Sequence, residues 1–242
     1  MSDQKKDVAA IIVAAGSGKR FGEVAGLRKQ YRELGGVPLV VWSVKAFLSH
    51  PKVAECILVV PHEDVTAPPP FLERLPVRLV AGGAERHQSV RLGLEAIQTA
   101  SRTVLIHDGA RPLVSRSLID RVIAAADQGA AIPGTPVTDT LKEVAPDGRV
   151  LATPDRNRLR QVQTPQGFPT ELLLRVHRDA HAAGIGGTDD AALFEHFGLP
   201  VRVVEGDATN LKVTQPLDLE LAEFLAARLA VPAANNGNGR SS

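Results

Sequence analysis

The chain has 242 residues, of which 44% are apolar and 23% are charged; these ordinary globular values allow one sizeable buried core. Its 28 basic and 27 acidic residues leave a formal net charge of +1, which argues against a nucleic-acid-binding surface. A single cysteine excludes an intrachain disulfide, and no apolar run approaches the length of a membrane span.

These values predict one α/β domain over residues 1–230 that works in the reducing cytoplasm, without a membrane or nucleic-acid partner. The polar N-terminal residues lead directly into an apolar strand, so no secretory signal is expected. Residues 231–242 are rich in Asn, Gly and Ser, and this composition predicts a disordered tail.

The first predicted element is a buried strand that ends in a loop suited to an anion. Residues Val8 to Val13 are continuously apolar and mostly β-branched, as in a strand covered on both faces. Ala14 to Gly18 have small side chains, so their backbone N–H groups can surround a phosphate. Four cationic side chains follow closely, at Lys19, Arg20, Arg28 and Lys29. The stretch therefore predicts a polyanion site.

Two common phosphate-binding motifs do not fit this loop. A Walker loop needs a glycine at position 13 and a Ser or Thr after Lys19, but the chain has Val13 and Arg20 there. A dinucleotide fingerprint needs a glycine where Phe21 stands. A glycine-rich turn followed by solvated basic residues remains the alternative to an anion site.

The following segment alternates between predicted helices and strands. The periodicity predicts helices at Leu39–Leu48 and from Ser89, strands at Cys56–Val60, Val77–Val80 and Val104–Ile106, and a non-helical connection at Thr66–Pro70. Strands separated by helices indicate a parallel sheet with right-handed crossovers.

The C-terminal half continues the alternation with one interruption. We expect helices at Leu118–Ala126, from Thr170, from Asp190 to Phe197 and from Pro216 to about Leu229, with strands at Ala130–Val137 and Val201–Val204. The two prolines of the first of these strands suit a sheet edge or a bend.

The interruption is a polar segment over residues 138–161 with a Pro-Asp-Gly turn at its centre. It has too few apolar residues to form its own core. We therefore expect a protruding β-arm that rests on other protein, such as a partner subunit.

The strongest candidate for a metal ligand is Asp108, at the end of the fourth predicted strand. Ligands of open parallel sheets bind beyond the carboxyl ends of the strands. This places Asp108 beside the segment Ala14 to Gly18, which we call the glycine loop. Mg²⁺ needs only one or two carboxylates when phosphates supply other oxygens. A turn or helix-cap role for Asp108 remains the alternative. The neighbouring His107 is expected to pack or bond locally rather than to catalyse.

Several motifs of the chain occur together, in order, in one enzyme family. They are Ala14-Ala15-Gly16-x-Gly18-x-Arg20, Lys29-Gln30-Tyr31, Gly82-Gly83-x-x-Arg86-x-x-Ser89-Val90, His107-Asp108-x-Ala110-Arg111-Pro112, Asp139-Thr140, Asp155-Arg156, Thr164-Pro165-Gln166-x-Phe168, Thr188-Asp189-Asp190 and Asn210-x-Lys212-x-Thr214. Over about residues 8–225 the chain resembles the 2-C-methyl-D-erythritol 4-phosphate cytidylyltransferase family of non-mevalonate isoprenoid biosynthesis.

The resemblance implies transfer of CMP from CTP to a phosphorylated polyol, with Mg²⁺, on a Rossmann-like sheet flanked by helices in a homodimer that exchanges arms. It implies base and ribose contacts at Ala14, Ala15, Gly16, Gly82 and Ser89, cations around the triphosphate at Arg20, Lys29 and Lys212, and a metal ligand at Asp108. It implies a substrate pocket at Arg111, Thr140, Arg156 and Thr188, of which Thr140 and Arg156 come from the neighbouring arm.

Two alternatives remain open at this point. A cytidylyltransferase for another alditol phosphate, such as ribitol 5-phosphate, would carry nearly the same motifs. A catalytically silent nucleotide-binding module would keep the glycine loop but would have no need for Arg20, Lys29, Asp108 and Lys212 together. The chain also departs from the family at Arg28, where proline commonly precedes the Lys-Gln pair, and this leaves the position of Lys29 before CTP binds in question.

Overall fold

The computed structural model describes residues 6–16, 28–127 and 129–230. The strands are β1 (Val8–Val13), β2 (Glu33–Leu34), β3 (Val37–Pro38), β4 (Val53–Val60), β5 (Arg78–Ala81), β6 (Thr103–Asp108), β7 (Ala130–Pro136), β8 (Glu143–Val144), β9 (Val150–Ala152), β10 (Arg160–Val162), β11 (Gln166–Pro169) and β12 (Val201–Glu205). The helices are α1 (Leu39–Leu48), α2 (His62–Thr66), α3 (Pro70–Glu73), α4 (Arg86–Glu95), α5 (Arg116–Ala126), α6 (Thr170–Ala182), α7 (Asp190–His196) and α8 (Pro216–Ala230).

A mixed sheet of eight strands forms the centre of the fold, in the order β10-β7-β11-β6-β1-β4-β5, with β12 also paired to β7. β1 pairs in parallel with both β4 and β6, and β4 pairs in parallel with β5. β11 runs antiparallel between β6 and β7. The predicted Rossmann-like, mostly parallel sheet flanked by helices is therefore confirmed.

Both faces of the sheet are buried, which explains the continuous apolar run of β1. Ala10 and Ile12 pack in one core cluster with residues of α1 and α5. Ala9 and Ile11 pack on the opposite face with residues of α4 and α6. Successive strand residues point to opposite faces, so each apolar residue of β1 contributes to a core. Burial of a side chain as large as Ile stabilises the fold by about 1.5–3 kcal/mol.

Some predicted boundaries differ from the structure. The connection at 66–70 is helical at both ends, since α2 ends at Thr66 and α3 begins at Pro70; proline is tolerated in the first turn of a helix because its missing N–H has no partner there. The edge position considered for β7 is wrong, because β7 pairs with β10, β11 and β12. Pro133 lacks an N–H but its carbonyl accepts a bond from the Gln163 N–H (2.8 Å).

The polar segment forms a hairpin outside the central sheet. β8 and β9 pair only with each other among the described strands, and Gly148 turns between them with a φ of +85°. Four apolar side chains of the segment are 41–56% exposed: Leu141, Val144, Val150 and Leu151. The C-terminal end of the predicted arm belongs instead to the central sheet, because β10 pairs with β7.

Over the part of the chain that the structure describes, no helix has the length and apolar character needed to cross a membrane. The predicted disordered tail, 231–242, lies outside the described residues.

Candidate active site

A cleft of about 310 Å³ lies at the carboxyl ends of β1 and β6, beside the start of α4. It brings together seven of the residues predicted from the sequence: Ala14, Ala15, Gly16, Lys29, Ser89, Asp108 and Lys212. These residues come from five separate segments of the chain. The crossover topology places them together because parallel strands end at the same side of the sheet.

Gly82 does not line the cleft but allows its wall to form. A Cβ atom at this position would lie 2.3 Å from the Cβ of Ala15 and 2.9 Å from the Ser89 Oγ, which is too close for any side chain. The Ser89 Oγ accepts a bond from the Gly83 N–H (3.1 Å) and donates to the Glu85 carbonyl (3.1 Å). Gly82 thus allows the end of β5 to lie against the glycine loop.

Gln30 holds the turn Lys29–Tyr31 against the glycine loop. It was not among the predicted site residues. Its side-chain amide donates to the carbonyls of Ala14 (2.5 Å) and Gly16 (3.3 Å). Arg28, one residue earlier than Lys29, forms an ion pair with Glu63 of α2. These contacts anchor the turn on both sides of Lys29. The signal for Gln30 was its place in the Lys29-Gln30-Tyr31 motif.

Asp108 is held between two cations. The Lys212 Nζ lies 2.6 Å from its Oδ2, and the Arg86 Nε lies 3.4 Å from its Oδ1. Burial alone would raise the pKa of this carboxyl, but the charges of Arg86 and Lys212 outweigh burial and hold the pKa well below its usual range. The Asp108 carboxyl is therefore ionised at neutral pH. Arg86 was present in the quoted motifs but was not predicted as a site residue.

His107 is a buried structural residue, as expected. Its Nε2 lies 3.1 Å from the Arg111 carbonyl and its Nδ1 lies 3.2 Å from the Thr164 Oγ1. Burial lowers the pKa of the imidazole to about 4, so the ring is neutral at physiological pH. The Thr164 Oγ1 also accepts a bond from the Asp108 N–H (3.0 Å). The two contacts of the Thr164 Oγ1, with His107 and with the Asp108 N–H, hold the backbone of Asp108, whose side chain lines the cleft.

A second cleft of about 620 Å³ adjoins the first, and Lys212 lines both. Arg111 also lines this second cleft. Its guanidinium donates to the carbonyls of Asn210 (2.8 Å) and Val162 (3.4 Å). Arg111 thus also fixes the backbone just before Lys212, a structural role that the sequence did not predict.

Three of the predicted substrate-pocket residues do not line either cleft. The described lining residues of the two clefts do not include Thr140, Arg156 or Thr188. Thr140 and Arg156 are exposed on the arm, where the Arg156 Nη1 donates to the Thr138 carbonyl (2.6 Å). Thr188 is exposed just before α7. Arg20 lies outside the described residues.

A cluster of three or more His, Cys, Asp or Glu side chains able to hold a metal is absent from residues 6–16, 28–127 and 129–230. A metal at Asp108 would therefore take most of its ligands from bound phosphates and water, as Mg²⁺ commonly does.

Acid should destabilise the protein partly through Asp108. The folded-state pKa of this carboxyl is lowered, because Arg86 and Lys212 outweigh the opposing effect of burial, whereas an Asp in the unfolded chain has a pKa of about 3.9. As the pH falls below about 4 the unfolded state takes up the proton first, so the free energy of unfolding decreases. Urea denaturation at about pH 6 and about pH 3.5 should show a smaller decrease for Asp108→Asn than for the wild type. Equal decreases would contradict this assignment.

Comparisons with known proteins agree on one family. The family model described as 2-C-methyl-D-erythritol 4-phosphate cytidylyltransferase matches residues 8–228. An enzyme of that name from Symbiobacterium thermophilum is 47% identical over 221 residues, which span 90% of this chain and 92% of that protein. A bifunctional enzyme IspD/IspF from Rhodospirillum rubrum is 49% identical over 222 residues, which span 90% of this chain and 56% of that protein.

Solved structures show the same likeness. The 4-diphosphocytidyl-2C-methyl-D-erythritol synthase of Anaerococcus prevotii superposes with a TM-score of 0.81 at 34% identity, covering 92% of this chain and 97% of that one. The 2-C-methyl-D-erythritol 4-phosphate cytidylyltransferase of Thermus thermophilus superposes with a TM-score of 0.75 at 39% identity, covering 90% of this chain and 98% of that one.

Proposed function

The chain belongs to the 2-C-methyl-D-erythritol 4-phosphate cytidylyltransferase family, and on that basis we propose that the cleft between Asp108 and Lys29 is where CMP is transferred. The enzyme uses CTP and 2-C-methyl-D-erythritol 4-phosphate, and it forms 4-diphosphocytidyl-2-C-methyl-D-erythritol and pyrophosphate in non-mevalonate isoprenoid biosynthesis. The observation that carries the proposal is the ionised Asp108 carboxylate, held between Arg86 and Lys212 in a cleft that Lys29 also lines.

The proposed nucleotide site uses the small residues at the end of β1. Backbone groups of Ala14, Ala15 and Gly16, with Ser89, contact the base and ribose, and Gly82 keeps the wall behind Ala15 free of a side chain. The triphosphate extends toward three cations: Arg20, Lys29 and Lys212. The polyol phosphate enters the second cleft, beside Arg111. Lys212 lines both clefts, so it can contact both phosphate groups that react.

The reaction needs cations more than it needs a base. An oxygen of the substrate phosphate attacks the α-phosphorus of CTP, the bond to the β-phosphate oxygen breaks, and pyrophosphate leaves. Negative charge collects on the α-phosphoryl oxygens and on the leaving group, so positioning and neutralisation provide most of the catalysis. The nucleophile is already ionised and has no proton to remove. A neutral, buried His107 is consistent with this chemistry.

We also propose that the metal of this nucleotidyltransferase is Mg²⁺ and that Asp108 is its protein ligand. The residue fits, because an ionised carboxylate is the hard oxygen donor that Mg²⁺ prefers and phosphates complete the set. The Lys212 ammonium now beside the Asp108 Oδ2 would move to the incoming phosphates. A bound Mg²⁺ supplies further neutralisation of the phosphate charge.

The arm supports a proposal of homodimerisation with arm exchange. Its hairpin leaves Leu141, Val144, Val150 and Leu151 between 41% and 56% exposed, and burial against a second subunit would remove this surface from water. In such a dimer Thr140 and Arg156 would complete the substrate pocket of the partner. Two equal sites then form around one twofold axis.

Asp108→Asn should raise the Mg²⁺ concentration that gives half-maximal activity. Outer-shell partners of metals commonly contribute about 10- to 100-fold to metal affinity or activity, and a direct ligand should contribute at least as much. Pyrophosphate release would be measured from CTP and 2-C-methyl-D-erythritol 4-phosphate over a range of Mg²⁺ concentrations. Asp127→Asn, at an exposed acid beyond the end of α5, is the control. Unchanged Mg²⁺ dependence of Asp108→Asn would refute the ligand role.

A further inference from the structure

A chain of polar contacts leads from the cleft into the interior of the protein. The Arg86 Nε contacts the Asp108 Oδ1 (3.4 Å), and the Arg86 Nη1 contacts the Asp190 Oδ2 (2.7 Å). The other oxygen of Asp190 lies 3.0 Å from the His177 Nε2. Arg86 therefore bridges two carboxylates, of which only Asp108 lines the cleft.

The inner end of this chain is fully buried. Asp190 is 0% exposed and His177 is 2% exposed. Burial alone would raise the pKa of the Asp190 carboxyl, but Arg86 and His177 outweigh it and keep the pKa low. A buried ion pair often contributes little net stability, because desolvation offsets the attraction. Stability alone therefore does not explain why a charged pair occupies this position.

Gln166, the first residue of β11, fixes the position of Asp190. The Gln166 Nε2 donates to the Asp189 Oδ2 (2.7 Å), and the Gln166 Oε1 accepts from the Ala191 N–H (3.3 Å). Asp189 in turn caps α7 by accepting from the Ala192 N–H (2.9 Å). The start of α7 is thus attached to the central sheet on both sides of Asp190, and the carboxylate has a defined place from which to hold Arg86.

We propose that Asp190 and His177 are positioning residues that orient Arg86 toward Asp108. A guanidinium and a carboxylate prefer two parallel hydrogen bonds. The ion pair of the Arg86 Nη1 with Asp190 fixes the orientation of the guanidinium, so that only its Nε bonds to Asp108, while the buried Nη2 has no hydrogen-bond partner among the described residues. Arg86 therefore holds Asp108 by a single bond, on its Oδ1, and the Oδ2 is left to Lys212. Without Asp190, Arg86 would take both oxygens of Asp108. The inference rests on the proposed role of Asp108 as the metal ligand.

The first test is Asp190→Asn, which keeps the shape of the side chain and removes its charge. By analogy with outer-shell residues, kcat/KM for CTP should fall about 10- to 100-fold. The control is Asp120→Asn, since Asp120 also lies 3.0 Å from a buried His Nε2, that of His50, but lines neither cleft among the described residues. The control should retain wild-type activity. Wild-type kinetics of a folded Asp190→Asn enzyme would overturn the proposal.

A binding measurement separates positioning from general damage. Calorimetric titration with CTP should give a weaker affinity for Asp190→Asn than for the wild type in Mg²⁺, because Arg86 then occupies the oxygens that a metal would use. In EDTA the two proteins should bind CTP alike. Equal weakening in both buffers would indicate a distorted cleft and would overturn the proposed role.

A double-mutant cycle tests whether Asp190 acts through Arg86. In an Arg86→Gln enzyme the orienting contact is already lost, so adding Asp190→Asn should cause no further loss beyond about twofold, because coupled residues are not additive. Losses that multiply would show that Asp190 acts independently of Arg86 and would overturn the proposal.

His177 provides a test that leaves the Arg86–Asp190 ion pair intact, should Asp190→Asn not fold. His177→Gln can still donate to the Asp190 carboxylate, whereas His177→Leu cannot. We expect His177→Gln to retain a higher kcat/KM for CTP than His177→Leu, and equal values would count against the proposal. Failure of the inference is distinguishable from failure of the proposed function, because Asp108→Asn needs a higher Mg²⁺ concentration for half-maximal activity only if the proposed function is right.

Discussion

Lys212→Ala is expected to lower kcat about 100- to 1,000-fold, the loss that follows removal of one preorganised donor in another enzyme class. Lys212 lines both clefts and lies 2.6 Å from Asp108. Its ammonium can therefore stabilise the negative charge that develops between the two substrates during the transfer. Lys29→Ala should have an effect of similar size, because Lys29 lines the nucleotide cleft. Arg20→Ala should also behave in this way, although Arg20 lies outside the described residues.

The measurement is the single-turnover rate of pyrophosphate release at saturating CTP and 2-C-methyl-D-erythritol 4-phosphate, which isolates the chemical step from product release. Lys45→Ala is a matched control, since Lys45 is exposed on α1. The melting temperature of each variant shows whether the fold is retained. A loss below about tenfold for Lys212→Ala would indicate a solvated cation rather than a catalytic one.

Mixed dimers of two inactive variants are expected to recover activity. If Arg156 reaches the neighbouring site, Lys29→Ala removes a cation from its own site and Arg156→Ala removes one from the partner site. In a mixed dimer, one of the two sites lacks both Lys29 and Arg156, and the other site has both. Random re-association gives about half mixed dimers, hence about a quarter of wild-type activity. The separate homodimers should be nearly inactive.

Arg156 is suited to this test because it lies on the exposed arm and is absent from the described linings of both clefts of its own chain. Arg158→Ala, in the same 3-10 turn Arg156–Arg158, is the control and should be active as a homodimer. Exchange of subunits is verified with two affinity tags. If exchange is complete and activity stays at the level of the separate variants, Arg156 acts within its own chain and arm exchange is refuted.

The family and the reaction were predictable from the sequence. The resemblance rested on short motifs whose order is a property of the chain, and the family match over residues 8–228 confirms it. The alditol was left open, since ribitol 5-phosphate enzymes would share the nucleotide motifs, and the family match resolves it in favour of 2-C-methyl-D-erythritol 4-phosphate. The roles of individual residues remain predictions.

Several contacts could not be predicted from the sequence. Arg86 and Asp190 stood in two separate motifs, but nothing in either motif indicated that they pair. The antiparallel position of β11 between β6 and β7 was also missed, because a short segment such as Gln166–Pro169 carries no periodic signal for strand direction. The same pairing brings Thr164 to the backbone of Asp108.

By itself, the sequence determined the buried strand β1, the glycine loop, the main helices and the exposed arm, because apolar periodicity, small side chains and charge spacing act over a few neighbouring residues. Tertiary structure alone decided which side chains meet. Arg86 and Asp190 are 104 residues apart in the chain, as are Asp108 and Lys212. Such pairs form only when the order of strands and the packing of helices bring distant segments together. The periodicity and spacing of neighbouring residues do not indicate that order.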